Sequence, residues 1–94
     1  TYIDNNFLKA YNNIGTISLE LGDIKTAIAN YKKVLELNPD NFISYKNLLA
    51  AYENSNQIEN YKKILEISKR KFPDQKILEL YKGILLFREK KEFI

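Results

Sequence analysis

The sequence predicts an all-α fold, an α-solenoid of antiparallel helix pairs with about five helices. Three observations carry this reading. Apolar residues recur three and four apart almost throughout, which gathers them on one face of a helix. No stretch keeps up the alternation of a half-buried strand. Only three Gly and two Pro interrupt the 94 residues, and the breaks they help to make are short.

Taken in order, the elements are punctuated as follows. The first helix, roughly 7–21, runs into Gly22-Asp23. Asp23 can accept bonds from the free N–H groups of the second, roughly 24–37, and Lys32 and Lys33 complement the dipole in its later turns. Pro39 stops it, having no N–H and disfavouring helix in the residue before. Asn38 offers cap chemistry for the third, roughly 41–54, which ends in Asn54-Ser55-Asn56-Gln57. Asn56 does the same for the fourth, roughly 57–72, with Lys69, Arg70 and Lys71 in its last turns. Pro73-Asp74-Gln75 separates it from the fifth, roughly 75–91, with Asp74 as the capping candidate. From Ile77 to Phe87, eight of eleven residues are Ile, Leu, Tyr or Phe. A helix apolar on nearly all sides expects burial on both, so it needs a further helix (Phe93-Ile94 would begin one) or self-association through 77–87.

Composition narrows the function. Hydrophobic residues make up 45% and charged residues 29%, an ordinary globular balance. With no Cys and no His, disulfides, thiol nucleophiles, the commonest metal ligands and the usual proton shuttle are excluded. Asp4, Asp23, Asp40 and Asp74 lie in caps and turns, not as a converging pair. Ser18, Ser44, Ser55 and Ser68 lack a His partner, and Gly15, Gly22 and Gly83 build no phosphate loop. The expectation is no enzyme, no cofactor, no metal and no small-molecule substrate. No apolar run approaches the roughly 20 residues of a membrane span. Thr1-Tyr2-Ile3-Asp4 lacks a signal-peptide pattern, so a cytoplasmic piece of a longer chain is expected. The net charge of +3 is mild, and 13 Lys against 2 Arg suits bidentate phosphate or base recognition poorly.

Positions 34 apart match. Pro39 pairs with Pro73, each followed by Asp; Tyr11 pairs with Tyr45, Ile14 with Leu48, Ile24 with Ile58; Gly15 and Gly83 are two periods apart. A competing match, Tyr31–Leu37 with Tyr61–Ile67, has a spacing of 30. Four landmarks favour 34, although the second helix pair could be splayed or slipped by a turn. A period of 34 with two helices per unit, together with Tyr11-Asn12-Asn13-Ile14-Gly15, Leu21-Gly22-Asp23, Ala27-Ile28, Tyr31, Leu35 and Asn38-Pro39-Asp40, resembles the tetratricopeptide repeat. The resemblance implies a single domain, with units at 8–41 and 42–75, a partial unit at 76–94, and Thr1–Phe7 as the tail of a preceding one. It implies that Gly15 and Ala27 mark a close helix crossing, and that Tyr11, Ile14, Tyr31 and Leu35 fill the space between helices. Leu49 and Tyr61 enlarge that crossing in the second unit, and Glu79 and Lys82 fall at expected core positions in the third.

The resemblance also implies a protein–protein scaffold whose first helices line a groove for a peptide or helix of another protein. Carried over by position, the groove presents Lys9, Asn12, Asn13, Thr16 and Glu20 from the first helix. The third contributes Lys46, Asn47, Ala50, Glu53 and Asn54, and the fifth Ile77, Leu80, Tyr81 and Ile84. Asn amides both donate and accept, which suits the backbone of an extended ligand. The Lys and Asn pair with which some members hold a chaperone's C-terminal carboxylate is not preserved: those positions hold Asn12 and Thr16, then Lys46 and Ala50. The alternative is an RNA-binding helical repeat using the basic surface of Lys32, Lys33, Lys62, Lys63, Lys69 and Lys71. Interleaved Glu36, Glu59 and Glu66 and the scarcity of Arg disfavour nucleic acid.

Overall fold

The computed structural model describes residues 4–92. They form α1 (Asn5–Glu20), α2 (Ile24–Leu37), α3 (Phe42–Asn54), α4 (Ile58–Lys71) and α5 (Ile77–Glu92), with no strand among the described residues. Each helix packs on the next, and α1 also meets α3. The array is open, 48 × 32 × 16 Å, and does not fold α5 back to close a bundle on α1.

The helix starts are chemical. Asp4 Oδ1 accepts the Asn6 N–H at 2.8 Å and begins α1. Asn5–Phe7 form the first turn of α1; Thr1–Ile3, like Phe93-Ile94, lie outside the described residues. Asp23 caps α2 through the Thr26 N–H at 3.2 Å. For α3 the cap is Asn41, not Asn38: its Oδ1 accepts the Ser44 N–H at 3.0 Å. Asn38 instead accepts the Asp40 N–H at 3.2 Å and shapes the turn around Pro39. Asn56 is likewise not a cap. It takes φ 58°, a left-handed conformation that Asn tolerates better than most residues, and Gln57 precedes α4 without a side-chain cap bond.

That turn settles the repeat length. Gly22, 34 residues before Asn56, also has positive φ, 84°. Past Gly22, the Asp23 N–H reaches the Ser18 carbonyl at 2.8 Å; past Asn56, the Gln57 N–H reaches the Tyr52 carbonyl at 2.8 Å. Two turns built alike at a spacing of 34 fix the register, and the spacing of 30 is only the likeness of two amphipathic helices about one turn out of step.

The core holds Ala27, Tyr31, Leu48, Leu49, Ala51, Tyr52, Tyr61, Leu65, Leu78 and Leu85. Burying each of the larger side chains contributes on the order of 1.5–3 kcal/mol. Gly15 is the close crossing: a Cβ there would lie 2.5 Å from the Tyr31 ring. Tyr31 is fully buried, whereas Tyr11 and Leu35 are half-buried. Ile14 fills no interior space. It is 47% exposed, because its side of α1 has no described helix over it, while its counterpart Leu48 is fully buried.

The second pair accommodates its larger residues. Leu49 and Tyr61 are both buried, although α3 and α4 approach each other less closely than α1 and α2. The Tyr61 hydroxyl donates to the Tyr81 carbonyl at 2.7 Å, so the residue that widens the pair also ties it to α5. Phe42 and Tyr45 meet Phe72 edge-on at 4.8 and 5.7 Å, closing the base of this pair. Glu79 and Lys82, placed in the core by the repeat register, are exposed. Among the described side chains of α5, Leu78 and Leu85 are buried; Ile77, Leu80, Leu86 and Phe87 are exposed, so the helix is covered on one side and not on both.

Candidate binding groove

At a spacing of 34, α1, α3 and α5 fall at corresponding positions along the chain. The fastening of α1 to α3 is polar: the Ser44 hydroxyl donates to Asn12 Oδ1 at 3.0 Å while also approaching Asn41 Oδ1 at 3.2 Å. The fastening of α3 to α5 is ionic. The Arg88 guanidinium donates to Glu53 Oε1 at 3.0 Å, to the Glu53 carbonyl at 3.3 Å and to Asn56 Oδ1 at 3.3 Å. One planar cation thus holds the C-terminal end of α3, where the helix dipole is negative and carbonyls are free.

Between α3 and α5 lies a concavity of about 670 Å³, lined by Glu53, Glu79, Leu80, Gly83, Ile84, Phe87 and Arg88. Its α5 wall is apolar because Ile77, Leu80, Ile84 and Phe87 recur at helical spacing on one side. Its rim is charged. Of the positions expected in a groove, this concavity gathers Glu53, Leu80 and Ile84. Ile77 is exposed beside it on the same helical stripe. Tyr81 is half-buried, and burial raises its phenol pKa. On α3, Ala50 and Asn54 are exposed, Asn47 is half-buried, and the Lys46 ammonium sits 5.6 Å over the Phe42 ring. On α1, Lys9, Asn13 and Glu20 are exposed, Asn12 is engaged by Ser44, and the Thr16 hydroxyl pairs with the Tyr31 hydroxyl at 3.0 Å. The α1 positions do not line the concavity.

Phe87 and Arg88 were legible and missed. They stand 34 residues after Glu53 and Asn54, and the same register carried one turn further along α5 reaches both. Glu79, at a position the register expects to be core, lines the concavity instead, as does Gly83, which has nothing within 4 Å of a Cβ built there.

The family model of the tetratricopeptide repeat matches residues 8–41, the segment that spans α1, α2 and the Gly22 turn. Residues 8–41 are a tetratricopeptide repeat. Curated proteins include no match to the chain. Tetratricopeptide repeats are generally protein–protein interaction modules and typically non-enzymatic scaffolds. No helix among the described residues is long and apolar enough to cross a membrane.

The basic surface is partly paired. Lys33 meets Glu36 at 3.4 Å, Lys62 meets Glu89 at 3.1 Å and Lys71 meets Asp40 at 3.1 Å. The hydrogen bond from Lys62 to Glu89 raises the lysine pKa.

Proposed function

We propose that the chain is a protein-interaction scaffold that receives a peptide or helix of another protein along α1, α3 and α5. The observation that carries this reading is the concavity between α3 and α5, an apolar wall with a charged rim. Leu80, Ile84 and Phe87 would take a bulky apolar side chain of the ligand. Glu53, Glu79 and Arg88 would orient its polar neighbours. The exposed amides of Asn13 and Asn54, with half-buried Asn47, would meet the ligand backbone further along. Pairing of Lys33, Lys62 and Lys71 with carboxylates supports this reading over a nucleic-acid surface, which needs its cations available to phosphate.

The test is paired affinity capture from nuclease-treated source lysate at high salt, using the chain and its Leu80→Asp variant. Leu80 is 61% exposed, so the substitution leaves the core intact. A discrete protein held by the parent chain and lost with Leu80→Asp is the expected result. Retention indifferent to Leu80→Asp, or abolished by nuclease, would count against the groove.

A further inference from the structure

The concavity between α3 and α5 is unevenly charged. Three ionisable side chains line it, Glu53, Glu79 and Arg88. Arg88 is already committed. Its guanidinium donates to Glu53 Oε1, to the Glu53 carbonyl and to Asn56 Oδ1, and the two bridge side chains are each only about a third exposed. A ligand carboxylate could take Arg88 only by leaving the partly desolvated Glu53 without its partner. Glu79 is different. It stands in the first turn of α5, exposed, and its carboxylate has no ion pair or hydrogen bond among the described residues. Lys69, which lines a smaller hollow of about 180 Å³ beside it, and Lys82, three residues along α5, are not paired with it. The concavity therefore holds two carboxylates to one cation, on a chain whose net charge is +3.

We infer that the groove selects a basic ligand: a segment of another protein in which a Lys or Arg stands on the same side as a bulky Leu, Ile or aromatic side chain. This rests on the reading of the concavity as a site for a peptide or helix. The apolar side chain enters against Leu80, Ile84 and Phe87, and the cation meets Glu79. Helix geometry sets their separation. Glu79 precedes Ile84 by five residues and Phe87 by eight, which is about 7.5 and 12 Å along the α5 axis. A ligand drawn out along α5 advances about 6.6 Å in two residues and about 13 Å in four, and returns to the same face each time. The cation therefore belongs two or four residues from the apolar anchor. An acidic segment fits worse twice over. It would face Glu79 with like charge and compete with Glu53 for Arg88. Because Glu79 is exposed, the pair discriminates between ligands more than it tightens any one of them.

Random peptides displayed on phage and selected on the immobilised chain test this, with Leu80→Asp and Glu79→Lys as parallel baits. Both positions are exposed, so neither variant disturbs the core. The expected yield is peptides with Lys or Arg two or four residues from a large apolar residue, absent from the Leu80→Asp selection. One such peptide is then synthesised with its cation kept, replaced by Gln or replaced by Glu, and titrated by fluorescence polarisation. Replacing the cation by Gln should weaken binding to the parent chain by up to about fivefold. On Glu79→Lys the order should reverse, with the Glu peptide bound best. Peptides that depend on Leu80 but are acidic or uncharged, or an order that Glu79→Lys leaves unchanged, would overturn the charge preference and leave the groove standing. A selection with no peptide dependent on Leu80 would overturn both.

Discussion

At the scale of single residues, two glycines at equivalent repeat positions behave in opposite ways. Gly15 lies under the Tyr31 ring, so Gly15→Ala must displace a buried aromatic; a loss of about 1–3 kcal/mol is expected in urea unfolding. Gly83 has nothing within 4 Å, and Gly83→Ala should gain up to about 1 kcal/mol by intrinsic helix preference alone. The crossing at Gly15 was legible because only a missing side chain explains Gly among good helix formers. Its nearest neighbour was not: the Tyr31 ring lies closest to Gly15, since a ring reaches across where Cβ positions give only spacing. Tyr61 supplies a pH prediction. Burial, helped by the nearby Glu53 carboxylate and only partly opposed by Arg88, raises its phenol pKa above the ordinary 10.0, and burial raises those of Tyr45 and Tyr81. The folded chain thus holds these protons more tightly than the unfolded one. The associated stability is fully present below pH 10 and lost as pH rises past it. Tyr61→Phe should shift the alkaline midpoint upward, while at neutral pH it gives up about 1 kcal/mol with the bond to the Tyr81 carbonyl.

At the scale of elements, helix interiors were easy to read and their ends were not. The five spans fall within a few residues of their expected places because the apolar period does not depend on neighbours. The caps of α3 and α4 were each misassigned by proximity to a turn that uses its own side chains. Asn38 is drawn into the Pro39-Asp40 turn, leaving Asn41 to cap α3, and Asn56 is consumed by its left-handed backbone. Asn41→Ala should therefore cost about 1 kcal/mol, measured by thermal unfolding, whereas Asn38→Ala should cost less. The greater surprise is Ile14. Its helix face is inward in the second unit and outward in the first, and no local pattern distinguishes a face that has a neighbour from one that has none among the described residues.

For the whole molecule, stability passes from neighbour to neighbour, and among the described helices α5, packed on α4 alone over any extent, has the least to lose. Helix α5 is held by Leu78, Leu85, the Tyr61 hydroxyl, the Lys62–Glu89 pair and Arg88. The Arg88–Glu53 bridge is about two-thirds buried on both sides, and it crosses from α5 to α3. Arg88→Ala should speed amide exchange along α5 more than along α2 or α3, read by hydrogen–deuterium exchange. If α1 exchanged equally faster, the neighbour-to-neighbour picture would fail. The groove was only partly legible for the same reason: the register names positions, but the volume between α3 and α5 depends on how far one helix stands from the next.

Tyr61 and Tyr81, which join α4 to α5, also give the protein an optical handle. The chain has seven Tyr and no Trp, so its near-ultraviolet emission is phenolic, with no indole to quench or mask it. A ligand that draws α5 inward, or a variant that lets it swing away, changes the surroundings of the Tyr61 ring and its hydroxyl. The far wall of the groove thereby reports its own position in the intrinsic fluorescence, without a label.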